Sequence, residues 1–256
     1  MSRQQYLHQF RSLHQQSTPF LLGNVWDAYT ARLAEQAGYK ALGSSSHAIA
    51  FTLGYEDGEN ISFKELFFVV KRILASVSIP VSVDFEAGYS EDPSEVAAYV
   101  KQLADAGVVG INLEDGIVKD GERVLESADQ LADKIRAIKS VTDIFINART
   151  DTYTTRVSDP LETSVERALK YQEAGADGIF VPLIEHTSDI QAFTEKVTIP
   201  LNVFVTTSLP DFETLGNLGV KRISHGAKQY EQLMKKSEYI FKDFFRNKNY
   251  STILGS

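Results

Sequence analysis

The chain has 256 residues, 43% of them hydrophobic and 23% charged, the balance of a soluble globular protein with one large core or two small ones. A net charge of −8 argues against a surface built for nucleic acid or anionic membrane. The absence of cysteine excludes disulfides, thiolate zinc sites, iron–sulfur clusters and a thiol nucleophile or acid.

In chain order, "MSRQQYLHQFRSLHQQ" reads as a helix without the apolar core of a signal segment, and its His8 and His14 are expected at the surface. No apolar run approaches the length of a membrane span, so the expectation is a cytoplasmic protein with no membrane and no nucleic-acid partner. Eight short runs rich in Val, Ile, Leu and Phe follow, at 20–26, 40–46, 79–86, 109–115, 143–151, 177–182, 200–205 and 220–226. Their composition is that of parallel strands buried on both faces. Amphipathic segments such as "SEVAAYVKQLADAG" and "SVERALKYQEAG" separate them.

A repeat supports this reading. "EQAGYKALG", "ADAGVVGIN", "QEAGADGIF" and "GNLGVKRIS" share one grammar: helix end, Gly, then strand. Gly38, Gly107, Gly175 and Gly219 suit the left-handed position that turns a helix straight into a strand. The first three lie 69 residues apart (38 to 107) and 68 apart (107 to 175), about two β/α units each. Eight such units in this length predict a (β/α)8 TIM barrel. An open doubly wound sheet is the alternative, but no G-x-G-x-x-G follows the first strand to support it. Residues 1–256 read as one barrel domain, with 227–256 as a C-terminal helical segment whose apolar face needs a partner such as another subunit.

In such a barrel the active site stands at the C-terminal ends of the strands. "SVDFEAGYS" ends the third run with Asp84 and Glu86, which on a strand would share a face. The fourth ends in Glu114 and Asp115, and the fifth in Asn147, Arg149 and Asp151. Asn202 lies in the seventh and His225 ends the eighth. Three carboxylates with no Cys and no His pair nearby favour a hard divalent ion, Mg²⁺ or Mn²⁺, over zinc. Gly43, Ser44 and Ser45, small residues with free amides, suit an approaching carboxylate or phosphonate. Each residue also has a structural reading. An acid pair can cap a helix, Arg149 can simply neutralise Asp151 or Glu114, and Asn147 and Asn202 can satisfy buried backbone. His225 is open between facing a ligand and holding the fold.

Taken together, "GSSS…GYEDGE", "SVDFEAGY", "INLEDG" and "INARTD" resemble the isocitrate lyase/phosphoenolpyruvate mutase superfamily, from about Gly23 to His225. The resemblance implies a (β/α)8 barrel whose last helix is swapped between subunits of a dimer or tetramer. It implies Mg²⁺ held by Asp84, Glu86 and Glu114, directly or through water. It makes Asp57 an active-site aspartate, puts Gly43, Ser44 and Ser45 at the substrate carboxylate, and gives Arg149 the carboxylate or phosphonate. Asn202 would sit near the leaving portion. The departures matter as much. The superfamily's lyases carry a Cys acid on a loop after the fourth strand, where this chain has "DGIVKDGERVLES". The phosphonate enzymes' Lys-Thr-Asn-Ser-type loop is absent there too. Glu86 replaces a more usual aspartate, and Leu183 stands where the lyases place a glutamate.

The function expected from these residues is a Mg²⁺-dependent C–C lyase, including decarboxylases, acting through an enolate on a small 2-oxo or 2-hydroxy di- or tricarboxylic acid. Water or His225 would protonate the enolate. A P–C bond enzyme of the phosphonopyruvate mutase or hydrolase type and a non-catalytic 2-oxo-acid-binding barrel are the alternatives.

Overall fold

A computed structural model describes residues 1–119 and 121–255. In it every one of the eight apolar runs contains parallel strand. The elements run α1 (Arg3–Leu13), β1 (Phe20–Leu21), β2 (Gly23–Val25), α2 (Ala28–Gln36), β3 (Leu42–Ser44), α3 (Ser46–Leu53), α4 (Phe63–Leu74), β4 (Val81–Asp84), α5 (Pro93–Ala106) and β5 (Gly110–Glu114). After these come a hairpin, β6 (Gly116–Lys119) and β7 (Glu122–Leu125), then α6 (Ala128–Val141), β8 (Phe145–Arg149), α7 (Pro160–Ala174) and β9 (Gly178–Phe180). The chain finishes with α8 (Thr187–Lys196), β10 (Leu201–Phe204), α9 (Phe212–Asn217), β11 (Arg222–Ser224), α10 (Lys228–Asn247) and α11 (Ser251–Leu254).

β1 and β2 are two halves of one barrel strand. β1 pairs in parallel with β11, β2 with β3, and the Leu22 N–H between them donates to Ile223 O at 2.9 Å. One strand thereby bonds both the second and the last, and the nine short strands close into a (β/α)8 barrel in the order β1-β11-β10-β9-β8-β5-β4-β3-β2. The four repeat glycines all adopt the left-handed backbone, with φ of 96° at Gly38, 117° at Gly107, 105° at Gly175 and 85° at Gly219. Val, Ile and Leu of the strands pack outward against the helices, most of them in one large core and Val25, Leu42 and Val81 in a second against Ala31 and Ile73.

Inside the barrel the residues are polar. Asn147 Nδ2 donates to Asn112 Oδ1 at 2.9 Å and to Asn202 Oδ1 at 3.1 Å, linking β8 to β5 and β10. Beneath this layer α1 caps the N-terminal end, with Leu7, Phe10 and Leu13 packed on Phe20, Val109 and Phe145. His14 belongs to this plug and not to the surface: it is only 3% exposed, stacked on Phe145 at 4.1 Å, and its Nδ1 bonds Phe10 O at 2.8 Å. The aromatic pocket at the strand starts makes burial favourable, a partner the helix pattern alone did not reveal; His8 is exposed.

Burial, and then the nearby Arg222 charge, push the His14 pKa down to about 3. The native ring is therefore neutral across a range where the unfolded ring, near 6.5, takes up a proton. Stability is lost as pH falls from about 6.5 toward 3, by about 1.4 kcal/mol per pH unit from this residue. His14→Phe should flatten that acid limb; urea unfolding at pH 6.5, 5.5 and 4.5 is the check, and parallel curves for the two proteins would refute it.

Candidate active site

The C-terminal strand ends enclose a cavity of about 250 Å³ whose lining includes Ser45, Ser46, His47, Asp57, Asp84, Asn112 and Arg149. Phe180, Pro182, Leu183 and Phe204 form an apolar wall at the ends of β9 and β10. Asp84 is the last residue of β4, and four bonds hold it, one of them from the Ser46 N–H to its carboxylate at 3.4 Å. Its N–H donates to Ser44 Oγ at 2.9 Å, and its carboxylate accepts from Ser46 Oγ at 2.8 Å and Asn112 Nδ2 at 3.4 Å. Ser45 caps α3, accepting from the Ala48 N–H, while Gly43 and Ser44 lie behind the cavity wall. A Cβ on Gly43 would stand 2.6 Å from Leu22 Cδ2, so a side chain there would require the buried Leu22 to shift.

Asp84 and Glu86 do not share a face. The strand stops at Asp84, and Glu86 takes a left-handed backbone with φ 48°, which breaks the alternation that the i, i+2 spacing assumes. Its carboxylate turns to the Glu59 N–H at 2.8 Å and the Tyr89 hydroxyl at 3.1 Å. With Glu114 it lines a separate cavity of about 80 Å³ under the hairpin. Burial first, then the charges of Asp84, Glu114 and Asp57, push the Glu86 carboxyl up to about 9. Among the described residues no group of three or more His, Cys, Asp or Glu side chains stands close enough to hold a metal ion on its own.

Glu114 sits between two guanidiniums. Arg123 Nη1 donates to its Oε1 at 2.8 Å, and Arg149 Nη1 lies 2.8 Å from its Oε2 as an ion pair without hydrogen-bond alignment. Burial nevertheless drives its carboxyl upward. Arg149 also grips Asp151 through Nε at 2.8 Å and Nη2 at 3.0 Å, and rests 5.5 Å from the centre of the Phe180 ring. Two of its N–H groups are thus hydrogen-bonded to Asp151 and Nη1 is paired with Glu114, while the side chain also lines the cavity. Asp115 points away, bound by the Tyr171 hydroxyl at 2.6 Å, Arg167 Nη1 at 2.9 Å and the Asp151 N–H at 2.9 Å.

Arg123 was not among the sequence candidates. It lies in the stretch with no superfamily loop motif, yet the hairpin folds back and sets its Nη1 2.6 Å from Asp151 Oδ2 as well as against Glu114. His47 was missed too, hidden in "GSSSHAIA", which reads simply as a turn entering a helix. Its Nδ1 lies 3.3 Å from Asp57 Oδ2 and its ring stacks on Phe51. Burial opposes ionisation of Asp57, but the bond to His47 and the charges of His47, Arg123 and Arg149 outweigh it and hold the carboxyl below its usual range.

Two predicted residues stand elsewhere. Asn202 is 1% exposed in the polar layer below the cavity, donating to Val203 O and Ser224 Oγ. His225 accepts the Asn24 N–H on its Nε2 at 3.2 Å, while Asn24 Oδ1 accepts from the His225 and Gly226 N–H groups at 2.9 Å each. This exchange ties the last strand to the first, and the His225 ring is not part of the cavity lining. Burial lowers its pKa.

A closed parallel barrel with acids and an arginine gathered at its C-terminal mouth defines a (β/α)8 enzyme scaffold. Residues 10–245 match the phosphoenolpyruvate phosphomutase family, and the chain belongs to it, within the superfamily of isocitrate lyase-like lyases and mutases. It is 30% identical to the 2-methylisocitrate lyase of Escherichia coli K12 over 206 residues, 77% of this chain and 69% of that enzyme. A Burkholderia cenocepacia J2315 structure described as a phosphonomutase superposes with a TM-score of 0.87 at 36% identity, covering 94% of this chain and 99% of the other. The barrel is also shared with a phosphonopyruvate hydrolase solved with oxalate and Mg²⁺, at a TM-score of 0.84 and 23% identity, covering 98% and 89% of the two chains. No helix among the described residues is long and apolar enough to cross a membrane.

Proposed function

We propose that the chain is a Mg²⁺-dependent C–C lyase, including decarboxylases, that acts on a small 2-oxo or 2-hydroxy di- or tricarboxylic acid by way of an enolate. The observation that carries this reading is the meeting of Asp84, Ser45, Ser46 and Arg149 on one cavity of about 250 Å³. The carboxylates Asp84, Glu86 and Glu114 suit a hard cation, since they offer oxygen. Asp84 faces the cavity, with Glu86 and Glu114 behind it, and the raised Glu86 marks negative charge that a cation would offset. When bound, the cation supplies positive charge where the enolate oxygen develops.

The chain's own groups do the rest. Arg149, held by Asp151 and Glu114, presents its guanidinium to a substrate carboxylate at a fixed angle. The Phe180–Phe204 wall keeps water from the reacting carbon. The relative named 2-methylisocitrate lyase favours C–C over P–C cleavage. A turnover and melting panel with Mg²⁺ tests this: oxaloacetate, methylisocitrate, dimethylmalate and phosphonopyruvate as substrates, and oxalate as a mimic of the pyruvate enolate. Turnover of one C–C substrate and stabilisation by oxalate that EDTA abolishes are expected. Release of phosphate from phosphonopyruvate alone would replace the reading with a P–C enzyme. Stabilisation without turnover would mean a binding barrel.

The reading extends to assembly as a homo-oligomer. Met234, Phe241 and Phe245 on α10 are 43%, 72% and 75% exposed, an apolar face that a swapped contact with a second copy would cover. Sedimentation velocity is the check, a monomer the refuting result.

A further inference from the structure

We propose that His47, oriented by Asp57, is the proton donor that quenches the carbon left carrying the electron pair of the broken bond. The inference rests on the lyase reading above and supplies the acid that reading lacks. The chain has no cysteine to serve as one, and the His225 ring is committed to the Asn24 N–H outside the cavity lining. His47 lines the same cavity as Asp84 and Arg149.

Its geometry suits the task. Asp57 is held ionised and can only accept, so the 3.3 Å contact requires the proton on His47 Nδ1. That leaves Nε2 as the working atom, and among the described residues it has no hydrogen-bond partner. Stacking on Phe51, with centroids 4.5 Å apart and planes 17° from parallel, fixes the ring plane. The charged groups around the ring are Asp57, and Glu231 and Lys228 from α10. The bond to Asp57 comes first among the influences that raise the His47 pKa, against the opposing effect of burial. A carboxylate that orients an imidazole and stabilises its cation is the arrangement a general acid needs near neutral pH.

The step balances. The C–C bond breaks and its electron pair stays on the enolate carbon; a C–H bond forms there with the proton from Nε2, leaving a neutral imidazole whose Nδ1–H still faces Asp57. Water at the cavity mouth restores the proton. With a 2-hydroxy acid, the hydroxyl proton released in the same cleavage leaves to water, so no proton is gained or lost overall.

The test takes the 2-oxo-acid case, in which cleavage leaves the enolate of pyruvate, and runs that protonation step backward. Intact protein, Mg²⁺ and pyruvate are mixed in D₂O, and loss of the methyl proton signal is followed by NMR. Wild type should exchange, and His47→Gln, which keeps a side-chain amide for Asp57, should slow exchange by about 100-fold or more. His47→Ala should lose exchange and regain part of it with added imidazole. Exchange by H47Q within about three-fold of wild type overturns the proposal, as does a loss in H47A that imidazole does not restore. Wild type that is stabilised by oxalate with Mg²⁺ but does not exchange overturns the proton-donor role alone. Wild type that does neither removes the lyase reading and this inference together.

Discussion

Asp84→Asn should leave the barrel folded and abolish the Mg²⁺-dependent stabilisation by oxalate. Asn can still accept from Ser46 Oγ, and the bond from the Asp84 N–H to Ser44 Oγ is untouched, so the cost to stability should be about 1 kcal/mol or less. Chemistry should suffer far more. A carboxylate facing the cavity is the strongest single anchor for a hard cation, and charge stabilisation of that kind is worth several kcal/mol at the transition state. At 1.36 kcal/mol per decade, turnover should fall by about 1,000-fold or more. Glu86→Gln and Glu114→Gln cannot substitute as the same experiment, because Glu86 also fixes the Glu59 and Tyr89 loop and Glu114 neutralises two arginines. Melting curves of D84N with and without oxalate and Mg²⁺ settle it. An undiminished shift would place the cation elsewhere.

The barrel was legible because its signals are local. Runs such as "VSVD" and "GINLE" advertise buried strands, and a glycine at a helix end needs only its own backbone to be read. The carboxylates were legible as a population at strand ends but not as a geometry. Whether Asp84 and Glu86 share a face depends on where the strand stops, and the left-handed turn at Glu86 is set by what receives its carboxylate, 27 residues earlier at Glu59. Arg123 is the sharper case. Nothing within "IVKDGERVL" says that the arginine will reach back to Glu114 and Asp151, since that follows from the hairpin's own pairing of Val118 with Arg123 and Ile117 with Val124. His14 and His47 were obscured for a common reason: an isolated histidine in a helix carries no sign of whether its neighbours in space are rings, acids or water.

The largest loss of stability should come from Asp151→Ala. Asp151 is fully buried and receives three charged N–H bonds, two from Arg149 and one from Arg123 at 2.6 Å. Removing it leaves two partly buried guanidiniums with Glu114 as their remaining carboxylate, Arg123 keeping also the Gly116 carbonyl. Breaking a buried pair costs about 3–5 kcal/mol, and the lower end is expected here because both guanidiniums keep some access to water. Urea unfolding should register that loss, while Asp151→Asn, which keeps one acceptor oxygen, should lose less. A cost within about 1 kcal/mol for the alanine variant would mean the cluster is wet or redundant. The hairpin should loosen at the same time, since Gly116 lies so close to the carboxylate that even a Cβ there would run into Asp151. Activity and stability therefore share one residue at this end of the barrel. Asp151 is not itself one of the cavity-lining residues, yet it holds at one fixed angle the arginine that is.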